Sequence, residues 1–219
     1  MNDIADFDVG SCAEDEEIIN SNPPGFRVLT LESYWDSDVT DLINVFTTIP
    51  WYRTVETLTI RCRAQGLDRF FASLPNMKLS LKTLHCKTRT RLTPVTRFQH
   101  IESLSSLEVF GINIRDADAA HVLPKLCQIA SPHFHSLTIC YAVTGVGNSP
   151  FEVPDAWMAF RESIKDHSRF PALSSVEINI YDDANCGYMF MRIMRNNLKY
   201  LFSYMGTSRI DVDILICSI

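Results

Sequence analysis

Apolar side chains recur along this sequence in one short pattern, apolar-x-x-Leu-x-apolar, from Phe26 onward. The copies are Phe26-Arg-Val-Leu29-Thr-Leu31, Val55-Glu-Thr-Leu58-Thr-Ile60, Leu81-Lys-Thr-Leu84-His-Cys86, Leu104-Ser-Ser-Leu107-Glu-Val109, Phe134-His-Ser-Leu137-Thr-Ile139 and Leu173-Ser-Ser-Val176-Glu-Ile178. A looser seventh, Ile210-Asp-Val212-Asp-Ile214, ends the chain. Alternation with period two predicts a strand with one buried face in each copy. The segments between them change to the helical period. Val39, Leu42, Ile43 and Phe46 follow i, i+3, i+4, i+7 behind a candidate N-cap at Ser37, and Leu67, Phe70, Phe71 and Leu74 repeat that spacing. Further helices are predicted over 116–130, where Pro124 is expected to break or kink the run, after Pro154 on Trp157, Phe160 and Ile164, and over 187–205. Gly206 stands where a helix-ending glycine belongs.

Strand and helix thus alternate, with spacings of 29, 26, 23, 30 and 39 residues between successive central Leu or Val positions. An open doubly wound sheet also alternates strand and helix. It has no reason to repeat one six-residue signature, whereas stacked repeats do. The pattern therefore predicts an α/β fold, an irregular leucine-rich-repeat-like right-handed solenoid of about seven strand–helix units over 26–219. Residues 1–25 read as a separate disordered acidic tail, with seven acids, no Lys or Arg, and a closing Asn22-Pro23-Pro24-Gly25.

Charge and cysteine content narrow the class. The formal net charge of −6 falls mostly on that tail, so the body is close to neutral. Within the body, residues 53–97 carry ten Lys or Arg against Glu56 and Asp68 alone. The seven cysteines are odd in number and form no C-x-x-C, which predicts reduced thiols rather than a disulfide framework. No apolar run approaches a membrane span, and the first residues lack the basic start and apolar core of a signal peptide. A cytoplasmic or nuclear protein with no membrane association is expected.

The repeated heads, above all LKTLHC at 81–86, LSSLEVFGI at 104–112 and LSSVEINIY at 173–181, with the ending YLFSYMGTSRIDV at 200–212, resemble the leucine-rich-repeat region of fungal F-box-type proteins of mushroom-forming species. The stretch before Phe26 is too short and acidic for an F-box, so the resemblance covers the repeats alone. It implies substrate recognition in a ubiquitin-ligase context.

Side chains between the apolar positions of such strands line a concave sheet face, the part of a solenoid that recognises partners. The candidate binding residues are Arg61, Arg63, His85, Lys87, Arg89, Arg91, Glu108, Phe110, Glu177 and Tyr181. Their excess of cations predicts a protein partner with an acidic surface. An alternative use of the basic 53–97 segment is nucleic-acid binding, with Phe98, Phe110 and Tyr141 as stacking groups, although the near-neutral body argues against it. An orphan repeat fragment with no partner is the third reading. Nothing points to catalysis, a cofactor or a metal. Gly145-Val-Gly147 lacks the third glycine of a dinucleotide loop. His133 and His135 near Cys140 lack a fourth ligand and read as surface residues around buried Phe134. Asp182 and Asp183 read as helix caps, and Met189, Met191, Met194 and Met205 as core filler.

Overall fold

The computed structural model describes residues 27–32, 44, 54–77, 81–88, 98, 100–115, 118–143, 155–182, 187–203, 205 and 209–217. Seven strands form one sheet: β1 (Val28–Glu32), β2 (Thr57–Cys62), β3 (Thr83–Thr88), β4 (Val109–Arg115), β5 (Ser136–Val143), β6 (Ser175–Asp182) and β7 (Asp211–Ile216). Every pairing is parallel, and the spatial order β1-β2-β3-β4-β5-β6-β7 is the order of the sequence. The order never reverses, so the sheet has no switch point of the doubly wound kind. Helix α1 (Ala64–Met77) follows β2, α2 (Ala119–Leu126) follows β4, α3 (Asp155–Ile164) follows β5 and α4 (Tyr188–Ser203) follows β6. A single 3-10 turn (Ile101–Ser103) stands between β3 and β4. The helix predicted on Val39, Leu42, Ile43 and Phe46, the tail 1–25 and Gly206 lie outside the described residues.

The chain enters β2 to β6 by the same backbone device. The carbonyl of Arg27 accepts from the N–H groups of both Glu56 and Thr57, at 2.9 and 2.8 Å. Glu56 does the same for Lys82 and Thr83, Lys82 for Glu108 and Val109, Glu108 for His135 and Ser136, and His135 for Ser174 and Ser175. This shared-carbonyl ladder ties each of β2 to β6 to its predecessor one residue before the regular pairing begins. It also satisfies backbone donors that would otherwise be orphaned at the entrance of the sheet.

Alternate strand residues sort to two faces. One face carries Leu29, Leu58, Leu84, Phe110, Leu137 and Val176, all buried and all in register across the sheet. Half-buried Val212 of β7 completes the row. Against this face pack Leu67, Phe70, Phe71 and Leu74 of α1, Val122 and Leu123 of α2, Trp157, Phe160 and Ile164 of α3, and Met194 and Leu198 of α4, in one continuous core. The helical spacings seen in the sequence are thus the buried stripes. Two helix details differ from expectation. Within the segment predicted over 116–130, the described helix runs from Ala119 to Leu126 with Pro124 inside it, so the proline does not break the helix where it stands. Met189 is 66% exposed and so is not core filler, whereas Met191 and Met194 are buried.

The structure also moves the head of the fourth unit. Leu84 pairs with Phe110 rather than with Leu107, so the true head is Leu107-Glu-Val-Phe110-Gly-Ile112, three residues later than the sequence pattern suggested. Leu107 is buried, but it precedes the strand, at the place Leu81 and Phe134 hold in their units. The shift makes the units more regular: Leu58 to Leu84 and Leu84 to Phe110 are each 26 residues, and Phe110 to Leu137 is 27.

Candidate interaction face

All-parallel sheets usually bury both faces, yet here the face opposite the helices stays half exposed along its length. Its residues are mostly polar and fall into columns fixed by the strand register. One column runs Thr30, Thr59, His85, Gly111, Thr138, Glu177 and Asp213. The next runs Glu32, Arg61, Lys87, Asn113, Cys140, Asn179 and Leu215. Beyond it lie Arg115, Ala142 and Tyr181 on β4, β5 and β6.

Most of the sequence-predicted binding residues meet on this face, and two do not. Arg61, His85, Lys87, Glu177 and Tyr181 share it, and exposed Arg63 follows directly on β2. Phe110 is 0% exposed and belongs to the core, where Ile112 and Ile114 alternate with it. Glu108 lies before β4, in the shared-carbonyl ladder between Lys82 and His135. Both corrections follow from the three-residue shift. The positions assigned to Phe110 and Glu108 are held by Asn113 and Gly111, and among the described residues the sheet face therefore offers no stacking phenylalanine. Arg89 and Arg91 lie outside the described residues.

A shallow trough of about 560 Å³ crosses the strands along the second column. Arg61, Lys87 and Thr88 line one end, Asn113 and Cys140 the middle, and Asn179, Tyr181 and Cys217 the other end. Arg61 and Lys87 are register partners, so two cations stand one strand spacing apart, about 5 Å between backbones. Part of that repulsion is relieved from within: Glu32 of β1 pairs with Arg61 Nη1 at 2.5 Å. On β6, Asn179 donates from Nδ2 to Glu177 Oε1, and Cys217 Sγ lies 3.5 Å from Asn179 Oδ1.

Gly111 shapes the first column. A Cβ there would lie 2.2 Å from His85 Nδ1, so the absent side chain is what lets the imidazole lie flat over β4. Burial, followed by the nearby Lys87 charge, lowers the His85 pKa, which keeps the ring neutral at physiological pH. Gly111→Ala is expected to destabilise the protein by roughly 1–3 kcal/mol through overpacking. The same change made on a His85→Ala background should be neutral or mildly stabilising, because alanine then restricts the unfolded chain without a clash. Urea melts of the two single mutants and the double mutant measure this coupling. Additive effects would mean that His85 does not occupy the glycine gap.

The histidines of the H-x-H stretch, His133 and His135, are exposed around buried Phe134. Among the described residues, no group of three or more His, Cys, Asp or Glu side chains is placed to hold a metal ion. Asp182 accepts the Gly187 N–H at 2.9 Å just ahead of α4, a bond across the loop and not to the first helical N–H groups, and Asp183 lies outside the described residues. Thiol access follows the two faces. Cys62 and Cys86 point into the core, where burial pushes the Cys86 thiol well up, while Cys217 is exposed and Cys140 half-buried. In the folded protein an alkylating reagent should therefore label Cys217 well before Cys62 and Cys86, resolved peptide by peptide in a mass spectrometer. Equal labelling of Cys86 and Cys217 under native conditions would contradict the assignment of faces.

No helix among the described residues is long and apolar enough to cross a membrane. Compared with protein-family models the chain finds no match, and compared with curated proteins it finds none.

Proposed function

We propose that the chain is an irregular right-handed leucine-rich-repeat-like solenoid, and that its helix-free sheet face is a concave, non-catalytic surface for binding a protein partner. The observation that carries this reading is the combination of monotonic strand order, a carbonyl ladder repeated from β2 to β6, and the packing of the described helices on one face. A right-handed crossover between every parallel pair follows the general rule for such units and would stack them into one solenoid. A polar, half-exposed parallel face costs the fold nothing if it is wetted when free and covered when bound. The resemblance of the repeat heads to fungal F-box-type proteins adds the role of substrate recognition in a ubiquitin-ligase context, in a cytoplasmic or nuclear setting where the thiols stay reduced. The partner is one whose contact with β2 and β3 is acidic.

The test is charge reversal. Arg61→Glu with Lys87→Glu should leave the melting temperature near that of the wild type, since both side chains point away from the core. Affinity capture followed by mass spectrometry should then recover the partner with the wild type and lose it with the double variant, and wild-type recovery should fall as salt rises. Ligase-adaptor subunits in the catch would support the ubiquitin context. A partner held equally by both proteins at low salt would refute the reading, and RNA-dependent recovery would favour nucleic acid instead.

A further inference from the structure

Strand order separates the charges of the open face. On β2, β3 and β4 it carries Arg61, Lys87 and Arg115; on β6 and β7 it carries Glu177, Asp211 and Asp213 and no cation. Between them the first two columns of β5 hold the uncharged Thr138 and Cys140. Lys87, Asp211 and Asp213 make no ion pair among the described residues. Lys87 on β3 and Asp213 on β7 are four strand spacings apart, about 19 Å, which is well over a Debye length at physiological salt. The two charged ends therefore do not neutralise each other. The trough begins at the basic end, with Arg61 and Lys87, and crosses the strands through Asn113 and Cys140 to Asn179; Glu177 stands one column beside it, hydrogen-bonded to Asn179, and is the register partner of Asp213 on β7. Asn113 and Asn179 on its floor each offer an amide able both to donate to and to accept from a peptide backbone.

From this arrangement we infer that the open face receives an extended polypeptide segment lying across the strands, acidic where it meets Arg61 and Lys87 on β2 and β3 and basic where it reaches Glu177 and Asp213 on β6 and β7. At about 3.3 Å per residue, the 19 Å between Lys87 and Asp213 corresponds to about six extended residues between the two charge clusters. A compact small ligand would engage one end only. A uniformly acidic partner would be repelled by Asp211 and Asp213. The inference rests on the interaction-surface reading and adds to it the charge order of the partner.

Fluorescence anisotropy on the full chain with synthetic peptides tests it. One peptide has a glutamate block, a neutral Gly/Ser spacer of about six residues and a lysine block; a second has the same composition with glutamate and lysine alternating; a third is all-glutamate. The block peptide should bind about tenfold or more tighter than the alternating one at low salt. Lys87→Gln and Asp213→Asn, both changes that remove a charge on the half-exposed or exposed face, should each weaken the block peptide several-fold. Asp213→Asn should instead improve the all-glutamate peptide. Equal binding of block and alternating peptides, or no binding of either, overturns the inference. If Asp213→Asn leaves the block peptide unchanged while Lys87→Gln weakens it, the polarity is wrong and the basic surface of the proposed function still stands. If the wild type sediments as a dimer at low salt and the block peptide does not dissociate it, the occupant is a second copy and the segment is not.

Discussion

Phe110→Ala is expected to destabilise the protein by about 3–5 kcal/mol, a large part of the roughly 5–15 kcal/mol that holds a domain folded. The ring is fully buried between Leu84 of β3 and Leu137 of β5 in the register, in the row of anchors that runs from Leu29 to Val212. Its removal leaves a cavity in the middle of the sheet, where flanking strands on both sides prevent collapse. Val109→Ala, one residue earlier and on the open face, should cost well under half as much, because Val109 is only half buried. The ratio between the two is the informative quantity. In the frame that takes Leu104 and Leu107 as the head, Val109 is core and Phe110 is surface, and the order of the two effects reverses. Midpoints of urea unfolding, with unchanged slopes, measure both. A Phe110→Ala protein as stable as the wild type would remove the register on which the open face is built.

Trp157→Ala should be comparably damaging, about 3–5 kcal/mol, for a different reason. Trp157 of α3 is buried against three rings on three elements: Tyr141 of β5 at 5.3 Å, Phe160 of its own helix at 6.0 Å and Phe202 of α4 at 6.3 Å, all close to perpendicular. Edge-to-face pairs of this kind add about 0.5–1.5 kcal/mol each to simple burial. The indole is thus what binds two successive helices to the sheet where the units are longest. Its Nε1–H has no hydrogen-bond partner among the described residues. Trp157→Phe therefore gives up volume but no hydrogen bond, and should cost no more than about 1–2 kcal/mol. Thermal unfolding of the two variants separates the contributions. If phenylalanine proved as destabilising as alanine, the indole nitrogen would have to be making a bond that its surroundings do not show.

Much of this architecture is legible in the residues themselves. Period-two alternation located six of the seven strands, and the i, i+3, i+4 stripes located α1, α3 and α4, because each element must present one apolar face to a common core. The open-face placement of Arg61, His85, Lys87, Glu177 and Tyr181 also followed from alternation alone, since neighbours along a strand point to opposite sides. The fourth unit was the exception, and its sequence explains why. Apolar residues at 104, 107, 109, 110 and 112 fit the repeated pattern in two frames three residues apart. Nothing local distinguishes Leu104-x-x-Leu107-x-Val109 from Leu107-x-x-Phe110-x-Ile112. Pairing with Leu84 and Leu137 decides it, because only one frame aligns the buried row across three strands. That choice carries Phe110 inward, puts Gly111 beneath His85 and sets Asn113 in the trough. Likewise the sequence holds its basic stretch at 53–97 and its acids at 177, 211 and 213 as separate facts. Strand order alone turns them into opposite ends of one surface, because charges far apart along the chain meet only through the hydrogen-bonded ladder of the sheet.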